Sequence, residues 1–166
     1  ISRGHAGGYT LKLPNEDKRM HSKNEFIADI ATALGGFAAE KMIFGDITTG
    51  PSSDLRKATQ LAKSLVTQYG MSDVLAPRTY GELEEMIFLG KEIHTQRDYS
   101  EETAQKIDSE VSKLIRDGLT TANKIIVEKK DKMEEIVAYL LKHEKIEKDE
   151  FEKIFQEKTT ADSKLV

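Results

Sequence analysis

The chain has 166 residues, enough for one domain with a real core. Its hydrophobic (38%) and charged (33%) fractions describe a polar sequence rich in surface helix, and its net charge of -4 comes from 25 basic and 29 acidic residues interleaved along the chain, so no basic stripe offers itself to nucleic acid. The lack of cysteine excludes disulfides, thiolate catalysis and cysteine-bound zinc, and no apolar run approaches the ~20 residues of a membrane span.

The chain opens without an initiator methionine and inside an apparent strand, which predicts a piece of something longer, with room for a membrane anchor elsewhere. Residues 7–13 alternate apolar with small or polar side chains and then meet Pro14, the pattern of a short edge strand. Ser22 and Glu25 fit a capping box, so a helix is expected from there to about Phe44, with Phe26, Ile30, Leu34, Phe37 and Ala38 on its apolar stripe. Gly35-Gly36 falls inside that stripe at a cost of roughly 2 kcal/mol against alanine, which points either to close packing on another element or to a break between two shorter helices.

A loop from Gly45 to Pro51 leads to a second helix capped by Ser52 or Ser53. Its stripe of Leu55, Ala58, Leu61, Ala62, Leu65, Val66 and Tyr69 is the cleanest in the chain, and Gly70 suits the residue after its end. Met86 to Leu89 could form a second short strand. Ser100 caps the longest helical stretch, with Ile107, Val111, Leu114, Ile115, Leu119, Ala122, Ile125 and Ile126 buried and Gly118 as a weak point; this stripe is expected to pack on the Leu55–Tyr69 helix. A helix from Lys130 to Leu141, with Met133, Ile136, Val137, Leu140 and Leu141 buried, and a short one from Asp149 to Phe155 follow, and residues 156–166 read as a disordered tail.

Chemistry-bearing residues are sparse. The histidines are His5, His21, His94 and His143, and no two are four apart, so the chain holds no helical HExxH zinc site. His21, His94 and His143 are most simply solvated side chains. Gly4, Gly7 and Gly8 precede a strand rather than a helix, which rules out a phosphate-binding loop on context. Asp54 lies in the first turn of its helix, where a carboxylate gains ~0.3–1 kcal/mol from the dipole and needs no further explanation on physical grounds alone.

Several stretches together nevertheless resemble one family. They are Gly8-Tyr9-Thr10-Leu11, Leu34-Gly35-Gly36-Phe37-Ala38-Ala39-Glu40, Phe44-Gly45-Asp46, Thr48-Thr49-Gly50-Pro51-Ser52-Ser53-Asp54-Leu55, Tyr69-Gly70-Met71-Ser72, Phe88-Leu89-Gly90 and Tyr99-Ser100-Glu101-Glu102-Thr103-Ala104. In order and spacing they are similar to the peptidase domain of FtsH-type ATP-dependent zinc metalloproteases, from residue 1 to about residue 155.

The resemblance implies a mainly α, bundle-like protease domain with a small β element near residues 7–13. Residues 1–155 would form the C-terminal portion of the zinc metallopeptidase domain, with the HExxH helix upstream. It places the third zinc ligand on Asp54 and a supporting role on Glu40, Thr49 and Gly50, with Glu40 ranked as support rather than ligand. Ser53 stands where the family usually has Asn. The strand residues Gly7, Gly8, Tyr9, Thr10 and Leu11 would flank the cleft and either pair with extended substrate or form an ordinary edge strand.

Zinc is the implied cofactor, with ATP bound by an upstream module. The implied partners are unfolded or membrane polypeptides and further subunits of a homo- or hetero-hexamer. The parent would be anchored in a bacterial cytoplasmic or organelle membrane and this portion would be soluble and inactive alone. The competing expectation is a non-enzymatic helical module for assembly or partner docking.

Overall fold

The computed structural model describes residues 20–81 and 98–156. These are helical throughout their regular parts: α1 (Lys23–Ala33), α2 (Gly35–Phe44), α3 (Ser52–Thr67), α4 (Glu101–Glu128), α5 (Lys130–His143) and α6 (Lys148–Gln156). No strand occurs among the described residues, which supports the mainly α class and gives no support to a small β element. The strand expected at 7–13 and the short one at 86–89 lie outside the described residues, as does all of the expected tail beyond Gln156, which itself closes α6. The described residues up to Lys124 form one compact unit, and those from Ile125 onward a second.

In the first unit α1 begins on a complete capping box. The Ser22 hydroxyl accepts the Glu25 N–H, and the Glu25 carboxylate accepts the Ser22 N–H at 2.8 Å. The single helix expected from there to Phe44 is two helices. Leu34 (φ -81, ψ -5) ends α1 and begins α2, its N–H still on Ile30 O and its carbonyl accepting the Ala38 N–H, and a Cβ at Gly35 or Gly36 would meet nothing within 4 Å. The two glycines therefore mark a break and not a close approach. They weaken the helix just where Leu34, 1% exposed, turns into the core.

That core joins Ile30, Ala31, Ala33, Leu34 and Ala38 with Ala58, Ala62, Leu65 and Val66, as α1 packs along α3. The close approach belongs instead to Gly118 of α4. A Cβ there would stand 2.9 Å from Ile30 Cγ2 and 3.2 Å from Leu34 Cδ1. Gly118 thus lies where α4 comes against α1, and the expected extended packing of the long stripe on α3 is not found. Ile107, Val111 and Ala122 are buried on the same helix.

α3 ends at Thr67, slightly earlier than the stripe suggests. Gly70 takes a left-handed conformation (φ 59), and Met71 N–H reaches back to Leu65 O at 3.0 Å. Tyr69 is half exposed and stacks on Phe26, with ring centroids 5.1 Å apart. Tyr80 is buried. Its N–H donates to Thr67 O and its hydroxyl to Ala76 O, which folds the 71–80 loop over the end of α3.

In the second unit α5 packs on α6. Met133, Ile136 and Leu140 are partly covered, but Val137 and Leu141 of the expected stripe are exposed. Lys132 is buried and bonds Glu135 at 2.8 Å, a partner that its charge requires there.

Candidate metal centre

Asp54 occupies the first turn of α3. The helix starts one residue earlier than the serines suggest, with Pro51 as N-cap and no side-chain capping bond. Pro51 is buried and suits this place, since its fixed φ is already helical and no N–H is forfeited. Leu55 N–H bonds Pro51 O at 2.9 Å and Ser52 N–H bonds Thr49 O at 3.1 Å, so the turn carrying Asp54 is regular from its first residue. The Asp54 side chain is exposed and has no hydrogen-bond or ion-pair partner among the described residues.

The approach to this turn is held from α2. Glu40, half-buried in that helix, accepts the Thr48 N–H on Oε2 at 3.0 Å, and the Thr48 hydroxyl lies 3.1 Å from both carboxylate oxygens. Thr48 Oγ1 in turn accepts the Gly50 N–H at 3.0 Å. Bonds to an ionised acceptor are the stronger kind, and two donors on one carboxylate fix its plane. A Cβ at Gly50 would lie 3.0 Å from Glu40 Oε1 and 3.2 Å from Thr48 Oγ1, so a side chain there would have to push these oxygens back by a few tenths of an ångström. Upstream, Gly45 (φ 67) ends α2 in the left-handed conformation, and Asp46 Oδ1 accepts the N–H of Ile47 at 2.7 Å.

Three of the residues singled out in the sequence, Glu40, Thr49 and Gly50, therefore belong to one loop structure that feeds Asp54's turn. Thr48, the residue that ties them together, was not singled out. Its signal was a hydroxyl two residues before a glycine, facing a carboxylate eight residues upstream at the far end of a helix. Gly7 to Leu11, His5 and His94 lie outside the described residues. His21 is exposed against the Phe26 ring, and His143 leans on Tyr139 in the last turn of α5. Among the described residues no three His, Cys, Asp or Glu side chains gather into a metal site.

An exposed, unpartnered carboxylate on a regular helical turn is a suitable hard-oxygen donor for zinc, but it is one donor, and a catalytic zinc takes three from protein. The others would have to come from outside this group of residues.

Residues 1–154 match Peptidase family M41. The chain belongs to that family. It is 46% identical over 158 residues to the ATP-dependent zinc metalloprotease FtsH of Thermotoga maritima, covering 95% of this chain and 26% of that protein. It is 44% identical over 154 residues to the protein of the same name from Caldicellulosiruptor bescii, covering 93% and 25%. With ATP-dependent zinc metalloprotease FtsH 1 of Thermoanaerobacter sp. the figure is 43% over 155 residues, covering 93% and 25%. The M41 chain described here thus spans about a quarter of the length of these relatives.

Proposed function

We propose that this M41 chain is the C-terminal, largely helical portion of the peptidase domain of an ATP-dependent zinc metalloendopeptidase, and that Asp54 is the third protein ligand of its zinc. The observation that carries the assignment is the state of Asp54: exposed, unpartnered among the described residues, and borne by a turn that Glu40 and Thr48 brace. A carboxylate kept only for the helix dipole would need no such bracing of the segment before it.

The remaining ligands and the general base would come from an HExxH helix elsewhere in the whole protein, as in the family it resembles. When bound, the zinc would polarise the scissile carbonyl and activate water. This chain's part is to hold one carboxylate oxygen in a fixed direction and to keep Glu40 occupied with the loop. Both Glu40 oxygens already accept hydrogen from Thr48, which suits a supporting residue better than a ligand.

The substrates would be unfolded or membrane polypeptides, delivered by an ATPase module in a hexamer anchored to a membrane. Among the described residues no helix is long and apolar enough to cross one, so the anchor would lie elsewhere. Residues 7–11 would serve as the cleft strand that pairs with extended substrate through main-chain bonds.

The test is Asp54→Ala in the full-length protein. Zinc content and proteolysis of an unfolded substrate should both fall at least ~10-fold while ATP hydrolysis persists. Near-normal zinc content and proteolysis would return Asp54 to a helix-dipole role worth only ~0.3–1 kcal/mol.

A further inference from the structure

We propose that Thr48 is a positioning residue for Asp54, setting the metal affinity of the site through its hydroxyl. The proposal rests on Asp54 being a zinc ligand. Thr48 sits at the centre of a short relay. Its amide and hydroxyl both reach Glu40, and its oxygen receives the Gly50 N–H. The hydroxyl therefore acts twice, as donor to a carboxylate on α2 and as acceptor from the segment that leads into α3. Each bond polarises the other in the favourable sense, because the proton given to the carboxylate leaves the oxygen a better acceptor.

Beyond Gly50 the chain enters the turn closed by Ser52 N–H on Thr49 O and Leu55 N–H on Pro51 O. The direction in which α3 leaves this turn sets the direction of the Asp54 carboxylate. The loop side chains before the buried Pro51 are exposed, so packing at Thr48 itself does not replace the relay if it is lost. Removing the hydroxyl would leave Glu40 with only the Thr48 amide and would free the Gly50 amide to solvent.

Four variants of the full-length protein separate the possibilities: Thr48→Val, which keeps shape without the hydroxyl; Thr48→Ser, which keeps the hydroxyl without the methyl; Gly50→Ala, which wedges Glu40 from Thr48 while leaving every donor in place; and Asp54→Ala. Zinc affinity is read by competition with a chelating indicator, and amide exchange by mass spectrometry on the peptide containing Gly50. Thr48→Val and Gly50→Ala are expected to weaken zinc binding about 10-fold and to speed exchange in that peptide, with Thr48→Ser close to the native protein on both.

Native zinc affinity in Thr48→Val, alongside zinc loss in Asp54→Ala, would overturn the positioning role and leave the ligand assignment standing. A Thr48→Ser protein as impaired as Thr48→Val would also overturn it, because the methyl and not the hydroxyl would then matter. Unchanged zinc affinity in Asp54→Ala would remove the ligand assignment and this proposal with it.

Discussion

Gly118 and Gly36 are both helical glycines, yet alanine should act on them in opposite directions. At Gly36 the side is open, with nothing within 4 Å of a Cβ, so Gly36→Ala should stabilise the chain by up to about 1 kcal/mol through helix propensity alone. At Gly118 the same gain meets a Cβ placed 2.9 Å from Ile30 Cγ2, with the Ala31 backbone nitrogen 3.5 Å away. Overpacking of this kind costs about 1–3 kcal/mol, so Gly118→Ala should be net destabilising. Urea unfolding midpoints of the two variants, read at unchanged slope, check both signs. The sequence could identify each glycine as a departure from helix propensity but not which was crowded, because the atoms that decide it at Gly118 belong to α1, far away along the chain. The candidate site divides in the same way. Asp54, Glu40, Thr49 and Gly50 could be singled out from family resemblance, whereas Thr48 acts through bonds that exist only after α2 and the loop fold together.

At the scale of elements, helix starts were legible wherever the capping partner lies three residues on. Ser22 with Glu25, and Ser100 with the Thr103 N–H at 3.2 Å, are local geometry that sequence spacing encodes. The outward turn of Val137 and Leu141 was not legible, since periodicity fixes a stripe but not what covers it, whereas Gly35-Gly36 left a helix break open as one of two readings and the open space beside both glycines decides for it. One helix end runs against local preference. α5 closes on Glu144, a non-glycine residue at φ 64, with its N–H on Leu140 O at 2.8 Å. Left-handed backbone costs a side-chain-bearing residue roughly 1–2 kcal/mol, part of which glycine returns through its unfolded freedom, so Glu144→Gly should raise stability by about 1 kcal/mol. A rise in urea midpoint would show it.

The start of α1 offers a second check. Lys23 donates to Asp73 at 2.6 Å, and this hydrogen bond, with the lysine charge, holds the Asp73 carboxyl below its ordinary 3.8. A depressed carboxylate contributes stability above its unfolded value and loses it as pH falls through the lower folded value. The pair is solvent-exposed, so the effect should be small. Asp73→Asn should therefore flatten the stability profile slightly below pH ~4 and leave it unchanged in shape near neutrality, as urea titrations at several pH values would register.

For the whole molecule, two properties of the chain alone follow from what its 166 residues contain. On the proposed assignment the chain, which has no HExxH pair, supplies Asp54 as one of the three protein ligands of a catalytic zinc and no base of that motif, so the purified chain should not hydrolyse unfolded casein with or without added zinc. Chelator-sensitive hydrolysis by the chain would show that the reading of its chemistry is wrong. Assembly follows from the same partial coverage. The chain spans about a quarter of its relatives' length, and on the proposed reading its subunit contacts in a ring would act alongside contacts and tethers elsewhere, which raise local concentration without strengthening any single interface. A stable interface needs roughly 1,600 Å² of buried surface, centred on apolar side chains. The exposed apolar residues of the described chain fall in small groups, such as Ile43, Phe44 and Ile47 around the end of α2 and Val137 with Leu141 on α5, each far smaller than such an interface. The chain alone is therefore expected to be monomeric or weakly associated at micromolar concentration, by sedimentation or light scattering. A stable hexamer at low micromolar concentration would mean that these helices carry assembly unaided, and would favour a docking module over a portion of a protease.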